Sequence, residues 1–332
     1  MKIARKLTNF DDVFEQRERL SEERMVLRKE RDQIIQENLE LKVSIQKYEE
    51  EKSFGWPNGH YYSPVHSLDD LDCYEEVAKR SKEEFALSIP GFSDKKIVRN
   101  FKRLRKYFKD YDYPEEDCEK SRFFIRNVSY PITDSLILFS VIRDLKPKRI
   151  IEIGSGFTSA LMMDVNERFF DNKIEITFIE PYPETLISRM HKEDKKRYQI
   201  IPRRVQEVPL EVFSKLEEGD ILFIDSTHVS KFNSDVNYEL FNILPSLPSG
   251  VIIHFHDIFD GFVYPIAWLK QGWAWNEDYL LRAYLIGNSD FEILLMNDYL
   301  TKRHKDLLIK SFPRYLNNNG GSLWVKKIGK DE

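Results

Sequence analysis

Two short runs of polar side chains in this sequence combine residue types that can move protons. The first run is Asp-Ser-Thr-His at residues 225–228, and the second contains His254, His256 and Asp257; both follow apolar segments. An imidazole titrates near neutral pH, so a histidine oriented by a carboxylate can act as a general base. We predict that the two runs form one reaction site, with the catalytic residues His256, Asp257, Asp225 and His228.

Two chemical roles are open for this cluster on the residues alone. His256 is the first candidate for a general base, and Asp257 or Asp225 would orient its ring. The same two carboxylates, Asp225 and Asp257, could instead bind Mg²⁺, which would acidify a substrate hydroxyl. A lone histidine is usually structural, but three histidines and two aspartates at adjoining positions are hard to explain by packing alone.

A glycine turn lies earlier in the chain, in the segment Glu-Ile-Gly-Ser-Gly at residues 152–156. Gly154 and Gly156 permit a tight turn and let a ligand approach the start of the following helix. A dinucleotide site would favour a third glycine where the chain has Ser159, and Glu152 would repel its phosphates. A cation with an ammonium and a sulfonium group, such as S-adenosylmethionine, would instead be attracted by Glu152. We predict cofactor contacts at Glu152, Gly154, Ser155 and Gly156.

An acidic residue, Glu180, lies 26 positions after Gly154, at the end of the next apolar segment. A carboxylate at this place can accept hydrogen bonds from both hydroxyls of a ribose. This holds for NAD as well as for S-adenosylmethionine, so an NAD-dependent oxidoreductase remains an alternative.

Four segments together resemble a known family. They are Glu-Ile-Gly-Ser-Gly (152–156), Phe-Ile-Glu-Pro (178–181), Phe-Ile-Asp-Ser-Thr-His (223–228) and His-Phe-His-Asp-Ile-Phe (254–259). In this order they resemble the class I S-adenosylmethionine-dependent methyltransferases, in particular the bacterial branch with natural-product and saccharide O-methyltransferases. The resemblance covers roughly residues 125–330. It implies a methionyl site over Glu152–Gly156, a ribose site at Glu180, adenine near Val205 and Gln206, and a further cofactor contact at Asp225.

The resemblance implies O-methylation of a sugar or of another hydroxylated small molecule. Some similar enzymes use Mg²⁺, for which Asp225 and Asp257 are the candidate ligands, but Thr227 stands where a second acid is expected. A second alternative is a non-catalytic scaffold that retains the fold and works through its N-terminal helix. The polar strand ends favour an enzyme, because a scaffold has no use for buried, unpaired histidine and aspartate.

The sequence must also build a sheet that brings these side chains together. Apolar segments alternate with helix-length connections, which is typical of a parallel sheet covered by helices on both faces. Adjacent strands lie ~5 Å apart, so neighbouring strand ends can share one site. We predict an α/β fold with a Rossmann-like, seven-stranded, mostly parallel sheet. The predicted strands are Arg149–Ile153, Glu175–Glu180, Tyr198–Ile201, Asp220–Asp225, Gly250–Phe255, Phe291–Met296 and Ser322–Lys327.

The N-terminal segment has the composition of a long helix, since the first 54 residues contain neither Gly nor Pro. Apolar residues recur every seven positions, which favours a coiled coil over a solvated helix lying on its own domain. A coiled coil needs a second apolar position in each heptad, four residues further on. That position is less apolar here, with arginines at 17, 24 and 31. We predict a coiled-coil helix over 1–54, a helical lead-in or lid over 55–124 and a catalytic domain over 125–332. The apolar series is Val13, Leu20, Leu27, Ile34, Leu41 and Tyr48.

Other stretches suggest supporting roles. Between residues 95 and 109 we expect a basic helix whose apolar stripe docks on the next domain. Aromatic residues between 262 and 279 can be part of the core or form a wall of the acceptor pocket, and we favour a mixed role in which Asn276 or Glu277 faces the pocket. The loop with His60, Tyr61 and Tyr62 could fold over that pocket as a lid or pack between domains, and the sequence leaves both roles open.

The composition of the chain argues against several classes of binding partner. A net charge of −5 gives no global attraction to nucleic acid or anionic lipid, and no stretch approaches 18 uncharged apolar residues. Cys73 and Cys118 match no metal-ligand or disulfide pattern. We therefore expect a soluble cytoplasmic protein with a small-molecule acceptor, no nucleic-acid or membrane partner, and homo-oligomer contacts through residues 10–50.

Overall fold

The chain divides into two compact units, residues 1–67 and 68–332. The computed structural model describes residues 2–52, 55–314 and 320–329. The residues of the predicted lead-in from position 68 onward therefore belong to the same compact unit as the sheet. No helix in these described ranges is long and apolar enough to cross a membrane.

The N-terminal unit contains one long helix, α1 (Lys2–Lys52), as the absence of Gly and Pro predicts. The described side chains of α1, including every residue from 19 to 45, are exposed. The heptad positions Leu20, Leu27, Ile34 and Leu41 are among them. Val13 and Tyr48 lie outside the described side chains. The helix itself is confirmed, whereas its pairing as a coiled coil stays a prediction.

A seven-stranded sheet forms the centre of the second unit, in the order β3-β2-β1-β4-β5-β7-β6. The pairs from β3 to β5 are parallel, and β7 runs antiparallel to both β5 and β6. The prediction of a Rossmann-like, mostly parallel sheet is confirmed. The strands are β1 (Arg149–Ile153), β2 (Glu175–Ile179), β3 (Gln199–Ile201), β4 (Ile221–Ile224), β5 (Ile252–Phe255), β6 (Phe291–Met296) and β7 (Leu323–Lys327).

Helices fill the connections between the strands. Those before the sheet are α2 (Tyr74–Ser88), α3 (Asp94–Leu104) and α4 (Ile132–Leu145). Those between the strands are α5 (Phe157–Phe170), α6 (Glu184–Arg189), α7 (Asp194–Arg197), α8 (Asp235–Tyr238), α9 (Leu244–Ser246), α10 (Ile266–Lys270), α11 (Glu277–Leu285), α12 (Asn297–Arg303) and α13 (Lys305–Ser311). A π-helical turn, Glu239–Ile243, separates α8 from α9.

The basic helix is shorter than predicted, because α3 ends at Leu104 and a 3₁₀ segment, Arg105–Asp110, follows. Ile97 and Phe101 are fully buried and belong to the same hydrophobic core as the sheet. The side-chain amide of Asn100 also donates to the backbone oxygen of Leu294 in β6, at 3.0 Å. The interpretation of α3 as a surface helix that docks its apolar stripe is confirmed.

The order of the strands fixes where a ligand can bind. The chain leaves β1 toward β2 on one side and later returns to β4 on the other, so a crevice opens outside the carboxyl ends of β1 and β4. Both the glycine turn after β1 and the first polar run after β4 lie at this crevice.

Candidate active site

The glycine turn joins β1 to α5 and brings its backbone against the end of β4. Gly154 has a φ of +80°, and a Cβ atom there would lie 1.8 Å from the backbone oxygen of Asp225, so only glycine fits. A Cβ atom on Gly156 would meet nothing closer than Cγ2 of Thr185, at 3.7 Å. The turn is therefore open at Gly156, where a ligand can approach the N-terminus of α5.

Ser159 occupies the place of a third glycine and fixes the turn by two hydrogen bonds. Its hydroxyl accepts from the backbone N–H of Gly156 at 3.0 Å and donates to Oε2 of Glu152. Glu152 is fully buried, and burial raises the pKa of its carboxyl group to about 8. The carboxyl group therefore supports the turn through Ser159. Its predicted contact with a cationic cofactor stays a prediction.

Glu180 follows β2, and two backbone N–H groups hold its carboxylate. Ser155 donates to Oε2 at 3.1 Å and Tyr182 donates to Oε1 at 2.8 Å. Each carboxylate oxygen keeps a further lone pair. The group is thus oriented and can still accept hydrogen bonds from the two hydroxyls of a ribose.

Two cavities border the glycine turn, with volumes of about 410 Å³ and about 250 Å³. Both are lined by Gly154, Glu180 and Asp225. The predicted cofactor residues therefore surround these cavities, apart from Glu152, which is not among the lining residues. The lining of the larger cavity also includes Val205 and Gln206, and that of the smaller cavity includes Ser155 and Gly156.

The two polar runs meet at His228, whose ring lies among three carboxyl groups. Nδ1 is 2.8 Å from Oε2 of Glu277, and Nε2 is 3.7 Å from both Oδ1 of Asp225 and Oδ2 of Asp257. Burial alone would lower the pKa of His228, but the three carboxylates outweigh burial and raise the pKa to about 9. His228 is therefore a buried imidazolium at neutral pH.

The backbone at both strand ends is unusual. His228 and Asp257 have φ values of +61° and +55°, in the left-handed region that few residues other than glycine adopt. The backbone oxygen of His228 accepts from the N–H groups of Asn276 and Glu277, at 3.1 and 3.2 Å. Such strained residues persist only where the surroundings hold them, and they concentrate at functional sites.

His256 follows β5, and its ring packs on Tyr130 with 5.2 Å between the centroids. Nδ1 is buried without a hydrogen-bond partner in the described part of the chain. Nε2, which lies 3.6 Å from Oδ1 of Asp257, is thus the nitrogen that a ligand can reach. Burial lowers the pKa of His256, but Asp257, Asp225 and Asp134 together raise it above its ordinary value.

His254 does not belong to this site. Its ring is fully buried and stacks on Phe223 with 3.9 Å between the centroids, beside Trp324 at 4.6 Å. Neither ring nitrogen has a hydrogen-bond partner within the described residues, and burial lowers the pKa well below its ordinary value. Two of the three histidines therefore lie at the site, and the third is a neutral core residue.

The residues predicted to bind Mg²⁺ do not fit a metal site. In the described ranges, no group of three or more histidine, cysteine, aspartate or glutamate side chains is arranged to hold a metal ion. Asp225 and Asp257 both face Nε2 of His228. The imidazolium of His228 already supplies a positive charge between these two carboxylates.

A third cavity, of about 1070 Å³, opens beside His256 and Asp257. Ser129 and Tyr130 line this cavity and also the 250 Å³ cavity at the glycine turn. The lining includes three tryptophans whose ring centroids lie between 4.8 and 5.2 Å apart. They are Trp268, Trp273 and Trp275, so the aromatic segment does contribute a wall.

The polar residues beside these tryptophans have other contacts than predicted. Oδ1 of Asn276 accepts from the backbone N–H of Ser230 at 2.6 Å, and Glu277 contacts His228. Neither Asn276 nor Glu277 is among the residues that line the cavity. The role of residues 60–62 as a cover stays a prediction, because these residues belong to the other compact unit.

Asp134, on α4, is a site residue that sequence reasoning missed. It lines the 1070 Å³ cavity and is almost fully buried. Its Oδ1 accepts from Asn297 and from the hydroxyl of Ser322, and its Oδ2 accepts from the N–H of Gly321. Its partners lie more than 160 positions away in the chain, so no local pattern could have indicated it.

Comparison with known proteins identifies the family. A model of the methyltransferase domain matches residues 151–258, which hold the glycine turn, Glu180 and both polar runs. This chain belongs to the S-adenosylmethionine-dependent methyltransferases. An uncharacterised protein of Archaeoglobus fulgidus is 33% identical over 168 residues, which make up 50% of this chain and 76% of that relative. The methyltransferase is therefore an enzyme that uses S-adenosylmethionine, rather than an NAD-dependent oxidoreductase.

Two solved methyltransferase structures are similar to this chain at lower sequence identity. The S-adenosylhomocysteine-bound methyltransferase PaMTH1 of Podospora anserina is 18% identical, with a TM-score of 0.38, over 77% of this chain and 97% of that one. The O-methyltransferase TomG of Streptomyces achromogenes is 13% identical, with a TM-score of 0.38, over 77% of this chain and 98% of that one. The fold assignment rests on the strand order described above.

Proposed function

We propose that this methyltransferase acts on a hydroxyl group of a sugar or of another polyhydroxylated small molecule. The observation that carries this proposal is that Ser129 and Tyr130 line both the 250 Å³ cavity at the glycine turn and the 1070 Å³ cavity, so the two cavities are neighbours. His256 and Asp257 also line the larger cavity. A proton acceptor is thus available where the two reactants would meet.

The cofactor would bind in the two cavities that border the glycine turn. Bound there, S-adenosylmethionine supplies an electrophilic methyl group. Glu180 would accept the ribose hydroxyls, because its carboxylate is already oriented by Ser155 and Tyr182. Gln206 lines the larger cavity and donates to the backbone oxygen of Asn233 at 2.7 Å, which fixes its amide beside the adenine position.

His256 would serve as the general base. Its Nε2 would accept the proton of the acceptor hydroxyl, and the oxygen would keep the electron pair of the broken O–H bond and become the nucleophile. The resulting imidazolium lies 3.6 Å from Asp257, which stabilises the positive charge. The carboxylates around His256 raise its pKa, so the proton is held once it has been transferred.

His228 would act as a positioning residue. As a buried imidazolium it faces Asp225 and Asp257 at 3.7 Å and offsets the repulsion between these two carboxylates. Asp225 lines both cofactor cavities and Asp257 lines the acceptor cavity. One buried cation thus orients a residue on each side of the reacting groups.

The acceptor class follows from the lining of the 1070 Å³ cavity. Trp268, Trp273 and Trp275 present aromatic faces, on which the apolar face of a sugar ring can pack. Carboxylates such as Asp257 and Asp298, which also line the cavity, can accept hydrogen bonds from several hydroxyls. A polyhydroxylated molecule with an apolar face satisfies both surfaces.

The proposal is tested by a methyl-transfer assay on matched acceptors. Sugars and catechols with free hydroxyls would be compared with amines and thiols, and S-adenosylhomocysteine formation would be measured. We expect turnover on a sugar hydroxyl and a loss of about 10²- to 10⁴-fold in kcat for His256→Ala, with S-adenosylmethionine binding retained. Exclusive turnover of amines or thiols, or normal turnover by His256→Ala, would contradict the proposal.

A further inference from the structure

Helix α1 carries an exposed apolar seam. Leu20, Leu27, Ile34 and Leu41 repeat at intervals of seven and are between 54% and 62% exposed. A helix in water normally gains its stability from packing an apolar face rather than from its intrinsic propensity. We expect a seam of this length to be buried against a partner helix.

We propose that α1 pairs with α1 of a second copy of the chain as a parallel, in-register, two-stranded coiled coil. When the repeating leucines and isoleucine occupy the d positions, the a positions are Arg24, Arg31, Asn38 and Ile45. The positions that flank this seam then determine whether two copies are compatible.

The flanking charges are complementary between two copies. Glu23, Glu30 and Glu37 occupy g positions, and Arg28 and Lys42 occupy e positions. In a parallel dimer each g residue faces the e residue five positions further along the other helix. Glu23 therefore faces Arg28 of the other copy, and Glu37 faces Lys42.

The charge pattern also selects the orientation. In an antiparallel pair g positions face g positions and e positions face e positions. Glu23, Glu30 and Glu37 would then repel one another, as would Arg28 and Lys42. The parallel arrangement avoids both repulsions.

The polar a positions are compatible with a two-stranded seam. Asn38 is the single asparagine among them, and one such residue fixes register and favours a dimer at a cost in stability. The guanidinium group of Arg31 already turns aside and donates to Oδ1 of Asp32 at 2.7 Å. Its aliphatic stem can thus pack while its charge remains in water.

The first test is the mass in solution of the protein with all 332 residues. We expect a dimer of twice the 39.6 kDa chain mass by analytical ultracentrifugation. Leu27→Asp combined with Ile34→Asp should give a monomer that still binds S-adenosylmethionine, which reports an intact catalytic unit. Val26→Asp combined with Val43→Asp, at exposed positions outside the seam, should remain dimeric. A monomeric or higher-order native protein, or a dimer that survives the seam substitutions, would overturn the proposal.

The second test addresses orientation and register. The exposed Cys73 and Cys118 would first be replaced by serine. Asn38→Cys should then form a disulfide between two chains on oxidation, because identical a positions meet in a parallel dimer, whereas Val43→Cys should not. Equal cross-linking at both positions, or none at position 38, would overturn the parallel register.

The third test measures the charge pairs. Glu37→Lys should weaken dimerisation several-fold, and Lys42→Glu in the same chain should restore it. Within one helix these residues are five positions apart and do not face each other, so restoration reports the contact between helices. A double variant no better than Glu37→Lys would contradict the assigned pairing.

Discussion

Nδ1 of His228 lies 2.8 Å from Oε2 of Glu277, although 49 positions separate the two residues in the chain. The contact joins the loop after β4 to the start of α11 and holds the imidazolium that faces Asp225 and Asp257. The charge state of this one ring therefore affects carboxylates on both the cofactor side and the acceptor side.

Stability should depend on pH through His228. Its pKa is about 9 in the folded chain against about 6.5 in a model compound, so its stabilising effect is complete below pH 6.5 and is lost as pH rises through 9. The free energy of unfolding should thus fall over this range, by at most about 1.4 kcal/mol per pH unit. Glu277→Gln should flatten this dependence in urea denaturation. Equal slopes in both proteins would argue against the ion pair.

Substitution of His254, in β5, and of His256, directly after β5, should have different effects on methyl transfer. His254→Leu removes two buried nitrogens that lack partners in the described chain, so we expect unchanged or higher stability and normal methyl transfer. His256→Ala should fold but lose turnover. Urea midpoints and kcat would be measured for both variants. Loss of activity in His254→Leu would show that His254 takes part in the reaction after all.

Substitution by alanine should have different effects at the two glycines of the turn. Gly154→Ala forces a Cβ atom against the backbone oxygen of Asp225, and should cost much more stability than Gly156→Ala, whose Cβ has room. Gly156→Ala should instead weaken S-adenosylmethionine binding, because its Cβ projects into open space at the turn. Thermal denaturation and calorimetric titration distinguish these outcomes, and equal stability losses would contradict the geometry.

The rate of methyl transfer should rise with pH, since His256 must be neutral to accept a proton. Its pKa is raised, so the midpoint should lie above 6.5. Asp257→Asn removes the largest raising charge and should shift the midpoint downward. Asp306→Asn, on the exposed surface of α13, is the control and should leave the profile unchanged. A midpoint that does not move in Asp257→Asn would exclude the proposed coupling.

Much of the sheet could be predicted from the sequence, because buried parallel strands are continuous apolar runs. The bounds of β1 and β6 are as predicted, and the other five strands differ from the prediction by one or two residues at one or both ends. A seven-residue repeat and a run of apolar residues are both visible in a short stretch of sequence. The long helix could therefore be predicted from the repeat, and the strand ends from the apolar runs.

The chemistry of the strand ends was only partly predictable. His254 and His256 share residue type and strand face, yet packing against Phe223 and Trp324 makes His254 a core residue. The roles of Asp134 and Glu277 depend on partners that are distant in sequence, so only the folded chain reveals what these two residues contact. The position of His228 between Asp225 and Asp257, the two candidate Mg²⁺ ligands, is likewise a tertiary feature that the sequence does not show.

The proposed function requires that S-adenosylmethionine binds at the glycine turn with its ribose on Glu180. The direct measurement is calorimetric titration of the native protein, of Glu180→Gln, and of Glu184→Gln as an exposed control on α6. We expect binding by the native protein and the control, and an affinity about 10- to 100-fold lower for Glu180→Gln, as for a lost hydrogen bond to a charged group. No binding by the native protein, or equal affinity in all three proteins, would contradict a ribose site at Glu180.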